Sequence, residues 1–102
     1  MNPVAVLYSW FQEYKELFVT SGAELDFKDS GRGSGCVRLE TDVYLMELSA
    51  WDHASCLDIQ IIEVKSEESS FHHSGGCESI DEFKQHLNEF LIWFKGAVVK
   101  NA

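Results

Sequence analysis

The stretch "SAWDHASCLD", residues 49–58, places an aspartate, a histidine and a cysteine directly after a tryptophan. Asp52, His53 and Cys56 are the residue types of a nucleophilic site, in which a base activates a thiol and a third group orients the base. Such a set must converge within hydrogen-bond reach in a cavity. Asp, His and Ser are also ordinary turn residues, and Asp52 can bond its own backbone there. Because turn side chains point outward, we interpret the stretch as a strand-to-strand turn and predict no catalytic residue.

A second set of reactive types lies in "HHSGGC", which contains His72, His73 and Cys77. Zinc takes three or four ligands, usually as close Cys or His pairs, and neither a C-x-x-C nor an H-x-x-x-H spacing is present. Two adjacent histidines on a strand point to opposite faces. We therefore predict no metal and no cofactor. With Cys36 and Cys56 the cysteines number three, and they are expected as reduced thiols in the cytoplasm.

The glycine-rich segment "DSGRGSG", residues 29–35, contains a G-x-G but no G-K-[ST]. A phosphate-binding loop needs a helix N-terminus behind it, whereas a strand is predicted to follow this segment. We interpret the segment as a hairpin connection that leaves Arg32 available to a partner.

Two amphipathic helices are predicted, one at each end of the chain. Asn2-Pro3 is a helix start and Ser21-Gly22 a helix stop. The apolar stripe of this first helix contains Val4, Leu7, Phe11, Tyr14 and Phe18. "SIDEF", residues 79–83, predicts a capping box before the second helix, in which Ser79 caps and Glu82 reaches back. Its stripe contains Ile80, Phe83, Leu87, Phe90, Leu91, Phe94 and Val98.

Between the helices the apolar period changes to two, which is typical of strands. The strand segments are "AELDFKD", "CVRLETD", "VYLMELSAW" and "CLDIQIIEV", with "SSFHHS" as a fifth, edge strand. We predict one α+β domain over residues 1–102. It is an antiparallel meander of four to five strands, with the N- and C-terminal helices packed on one face.

The face of this sheet away from the helices is the predicted partner-binding surface. Strand alternation places acidic side chains there beside Leu45, Trp51 and Ile62, which a purely solvated face would not need. Tryptophan is a frequent interface anchor, although Trp51 could alternatively cover the end of the core. The residues expected to bind a partner are Glu40, Asp42, Glu47, Trp51, Asp52, His53 and Asp58.

The charge balance bounds the kind of partner. The chain has 17 acidic and 8 basic residues, a formal charge of −9. Nucleic acid and anionic membranes are therefore disfavoured, because both bind through clustered Lys and Arg. A basic protein partner fits this charge, and solubility alone is the other explanation. The N-terminus is unlike a signal peptide, and no run of 18 apolar residues is present, so we expect a cytoplasmic protein.

The chain resembles a known family in three features: "LYSWFQEY", a meander containing "YLMELSAWD", and an amphipathic C-terminal helix. It is similar to the TriTu immunity proteins, which are encoded beside polymorphic toxins of the Rhs and type VI secretion kind. The resemblance implies a cognate inhibitor of an ADP-ribosyltransferase toxin that modifies elongation factor Tu. The resemblance assigns no binding residue. We expect such an inhibitor to occlude the toxin's active-site cleft, and three elements are candidates for entering it: the turn at residues 51–55, the loop at residues 31–35 and the acidic sheet face. Two other classes stay open: a small acidic secretion chaperone or adaptor that binds an effector segment, and a small enzyme that uses His53, His72 or His73.

Overall fold

The structure is a computed structural model that describes residues 2–53, 56–76 and 78–99, with the backbone alone for residues 69–76. Its elements run along the chain as α1 (Pro3–Thr20), β1 (Glu24–Asp29), β2 (Ser34–Glu40), β3 (Tyr44–Trp51), β4 (Cys56–Glu63), β5 (Ser69–Gly76) and α2 (Ile80–Phe94), followed by a short π-helical turn (Lys95–Val99).

The five strands form one antiparallel sheet in the order β1-β2-β3-β4-β5, so the predicted meander is confirmed with five strands. Short loops join neighbouring strands, and in β1 to β4 alternation turns one side of each strand toward the helices. Both helices bury their apolar stripes on that same side, which confirms the α+β arrangement. Eight side chains of β2 to β4 are fully buried: Val37, Leu39, Met46, Leu48, Ala50, Leu57, Ile59 and Ile61.

Helix α1 starts and stops where the sequence predicts. Asn2 is its N-cap, and Pro3 occupies the first helical position, where an amide hydrogen is not required. Gly22, with a φ of +88°, lets the chain turn after the Ser21 C-cap. Trp10, which is not part of the predicted stripe, is also buried, and its ring centroid lies 5.7 Å from that of Phe18.

Helix α2 has a modified capping box. Ser79 Oγ accepts a hydrogen bond from the Glu82 amide at 3.1 Å, as predicted. The Glu82 carboxylate reaches back one residue further and accepts from the Glu78 amide at 3.1 Å. Ile80, predicted to be in the buried stripe, is 43% exposed because it lies at the very start of the helix. The stripe continues to the buried Val98 in the π-helical turn.

The glycine-rich segment is a hairpin connection between β1 and β2, as predicted. Gly31 and Gly33 have φ angles of +74° and +83°, which favour glycine. Gly35 serves another purpose, because it is buried beneath α1. A Cβ atom there would lie 2.9 Å from Val4 Cγ1 and 3.2 Å from Phe27 Cζ. Its missing side chain therefore lets the start of α1 approach the sheet.

No helix within the described ranges is long and apolar enough to cross a lipid bilayer.

Candidate partner-binding surface

The sheet side away from the helices, here called the open face, is acidic. On β1 to β4 it carries five carboxylates and two cations. These are Glu24, Asp26, Glu40, Glu47 and Asp58, with Lys28 and Arg38. Glu24 and Asp26 are not among the residues predicted to bind a partner, and the strand pairing places them beside β2 on the same face.

Most of these carboxylates form no ion pair within the described part of the chain, although Arg38 lies opposite both Asp26 and Glu47 in the strand register. Glu24 and Glu40 are directly opposite each other on β1 and β2, a like-charge pair that destabilises a sheet. Among the described residues, Glu40, Glu47 and Asp58 form no ion pair, while the exposed Lys28 lies 3.9 Å from Asp26. The open face therefore keeps carboxylates that a cationic partner can neutralise.

Apolar side chains interrupt the carboxylates. Leu45 on β3 faces Ile62 on β4, and both are partly exposed on the open face. Trp51 ends β3, opposite Ser34 and Cys56, and is also partly exposed. It does not belong to the hydrophobic core formed by the described residues, which argues against the alternative that Trp51 covers the end of that core.

Of the seven residues predicted to bind a partner, four lie on the open face and three lie in the connections at its ends, so they form no single cluster: Glu40, Glu47, Trp51 and Asp58; Asp42, Asp52 and His53. Leu45 and Trp51 are six positions apart on β3, which is about 20 Å at the usual strand rise. Glu40 and Asp42 lie at the β2–β3 end of the sheet, and Glu47 and Asp58 lie nearer the middle. Trp51, Asp52 and His53 lie at the β3–β4 end.

Asp52 also has a structural partner. Its Oδ1 accepts a hydrogen bond from the Val4 amide at 2.9 Å, and its own amide donates to Gly33 O at 2.8 Å. The carboxylate thus points back to the N-terminus of α1, whereas the turn position predicted an outward side chain. A carboxylate is favourable there because the first helical amides lack internal acceptors.

Asn2 joins this contact. With its amide nitrogen toward Asp52, it donates to Oδ1 at 2.8 Å and Oδ2 at 3.2 Å. The opposite orientation lets Asn2 Oδ1 accept from the Ala5 amide at 3.3 Å, but sets an amide oxygen against carboxylate oxygens. We adopt the first orientation because its bonds are shorter and involve a charge.

These contacts bear on the chemical alternatives. The Asp52 oxygens are engaged with α1, so this residue is not positioned as an orienter dedicated to the exposed His53. No three His, Cys, Asp or Glu side chains gather as potential metal ligands within the described part of the chain. Cys77 and the side chains of His72 and His73 lie outside the described residues.

Comparison with known proteins identifies the family. The model of the immunity protein family TriTu matches residues 5–93. The match runs from the first turn of α1 through all five strands to the last turn of α2. A comparison with curated proteins gives no match. The family match confirms the resemblance drawn from the sequence, and the chain belongs to the TriTu family of immunity proteins.

Proposed function

We propose that this immunity protein neutralises an ADP-ribosyltransferase toxin, without catalysis, by laying the open face over the toxin's active-site cleft. Family membership supports the immunity role, and the TriTu resemblance suggests the toxin class. The observation that supports cleft occlusion is the combination of unpaired carboxylates and partly exposed Leu45, Trp51 and Ile62 on one side of the sheet.

The charge of the open face fits such a target. An ADP-ribosyltransferase binds the diphosphate of NAD, and a diphosphate site attracts Arg and Lys. Glu40, Glu47 and Asp58 would neutralise the same cations in the inhibited complex. The formal charge of −9 adds long-range attraction that speeds the encounter with a basic cleft.

The size of the face indicates how much of it is used. Strands of eight residues and five strands side by side span roughly 26 by 24 Å, or about 600 Å². A standard interface buries about 800 Å² on each partner. The sheet surface alone falls short, so the connections at its ends would contribute. Asp42 at one end and Trp51 to His53 at the other are the candidates for that contribution.

The test is inhibition of the toxin encoded by the neighbouring gene. Co-expression should restore growth, and purified protein should abolish transfer of ADP-ribose at about one equivalent. A labelled NAD analogue should be displaced from an inactive toxin when the immunity protein binds. Inhibition with the analogue still bound would contradict cleft occlusion.

The same experiment separates the other classes. A secretion chaperone or adaptor would bind an effector segment outside the toxin domain and leave transferase activity unchanged. An enzyme would act below one equivalent, and His53→Ala or His72→Ala would abolish its effect.

A further inference from the structure

The two edges of the sheet are protected very differently. Strand β1 carries a charged side chain at four of its six positions: Glu24, Asp26, Lys28 and Asp29. Charged edge strands discourage pairing with another chain. Strand β5, at the opposite edge, is eight residues long, and its sequence SSFHHSGG contains no Asp, Glu, Lys, Arg or Pro.

The backbone of β5 is paired on one side. Its register with β4 runs from Ile62↔Ser69 to Cys56↔Gly76. None of the described strands pairs with its other side. Alternate amide and carbonyl groups of an edge strand point away from the sheet and can bond to an added strand.

The end of β5 is suited to close backbone approach. Gly75 and Gly76 lie opposite Leu57 and Cys56 in the ladder. Glycine weakens a strand interior, and often marks a place where another backbone comes near.

We infer that β5 receives an extended segment of the toxin as a sixth strand of the sheet. The inference rests on the proposed function, since it names how the same partner is held. The added strand would extend the open face by one strand beyond β5. Its backbone would lie about 10 Å from the Asp58 position on β4. Basic side chains on the toxin strand would then lie close to the acidic face.

A second copy of this chain is the competing occupant, and charge argues against it. Pairing two β5 edges would bring together two molecules of formal charge −9. A toxin with a basic cleft would instead be attracted to this acidic chain.

Amide hydrogen exchange tests the inference directly. Immunity protein alone and in complex with catalytically inactive toxin would be compared at residue resolution. Strand addition should slow exchange at alternate β5 amides by about tenfold or more, because a hydrogen-bonded amide exchanges only on opening. Amides of the β1 edge should be unchanged.

Proline variants give an independent readout. Successive strand amides point to opposite sides, so His72→Pro and His73→Pro remove one inner and one outer amide. The variant that keeps the wild-type unfolding temperature is the one that lost the outer amide. It should bind inactive toxin at least about tenfold more weakly, through loss of one bond and disturbance of its neighbours. Alanine at the same position keeps the amide and should bind within about threefold of wild type.

The outcomes separate the two proposals. Full inhibition of the toxin with unchanged β5 exchange, or equal losses for the alanine and proline variants, overturns strand addition and leaves cleft occlusion intact. A wild-type protein that neither binds nor inhibits the toxin overturns both. If the protein alone dimerises with slowed β5 exchange, the edge is occupied by a second copy and the inference is wrong.

Discussion

Asp52 Oδ1 accepts a hydrogen bond from the amide of Val4 at 2.9 Å, across 48 positions of sequence. The β3–β4 turn therefore caps the first turn of α1. Trp51 and His53 flank Asp52, so this bond also restrains the backbone next to two residues of the proposed binding surface. A pre-ordered surface binds with a smaller entropic cost.

Replacing Asp52 by alanine should lower the free energy of unfolding by about 1–2 kcal/mol, because the Val4 amide loses its acceptor at a helix N-terminus. Urea denaturation at neutral pH would measure this change. His53→Ala, in the same turn and exposed, is the control and should change stability by less than about 0.5 kcal/mol. An Asp52→Ala protein of wild-type stability would show that the cap contributes little.

Charge reversal on the open face should slow association with the toxin. Glu40→Lys and Glu47→Lys are each expected to lower the association rate by about tenfold at low ionic strength, with a smaller effect at high salt. Stopped-flow binding with inactive toxin would measure it. Glu16→Lys makes the same charge change on the exposed side of α1 and should have a much smaller effect.

Glu40→Lys should also change the stability of the protein, in the opposite direction to its effect on toxin binding. It replaces the like-charge pair with Glu24 by an attractive one, so stability should rise by about 0.2–1 kcal/mol. Weaker toxin binding by a more stable protein cannot be ascribed to unfolding. If both reversals leave the rate and affinity unchanged, the toxin binds another surface.

Trp51→Ala should weaken toxin binding by about 2 kcal/mol or more, roughly 30-fold, if the ring is a buried anchor in the complex. Its thermal stability should change little, because Trp51 lies outside the core formed by the described residues. Trp93→Ala is the contrasting variant, since Trp93 packs against Tyr44 with ring centroids 5.0 Å apart. It should lose stability instead. If Trp51→Ala lowers the unfolding temperature but leaves the toxin affinity unchanged after correction for the folded fraction, the ring stabilises the fold and does not anchor the toxin.

Gly35→Ala should destabilise the fold by about 1–3 kcal/mol, because the new methyl group would lie 2.9 Å from Val4 Cγ1. Chemical denaturation would measure the loss. Adding Val4→Ala removes the clashing atom, so the double variant should lose less than the sum of the single ones. Gly96→Ala is a control, since nothing lies within 4 Å of a Cβ atom there. Strictly additive losses would show that the clash with Val4 is relieved some other way.

Much of the fold is encoded locally and could be predicted from the sequence. Helix caps, glycine turns and apolar periods involve residues a few positions apart, and these defined both helices and all five strands to within a few residues. The short connections between strands then favour a meander. Alternation also predicted which residues of β2 to β4 face away from the helices, including Glu40, Glu47 and Asp58.

Only the tertiary structure decided the relationships between distant segments. Asp52 meets Val4, Gly35 lies under α1, and Glu24 faces Glu40 because the packed helix and the strand register bring them together. No local pattern specifies such pairs, since their contact depends on how whole elements dock. The β5 edge differs from these pairs, because the sequence already predicted SSFHHS as an edge strand and the strand order confirms that position. The sequence by itself determined the elements and their faces, and packing determined which side chains became neighbours.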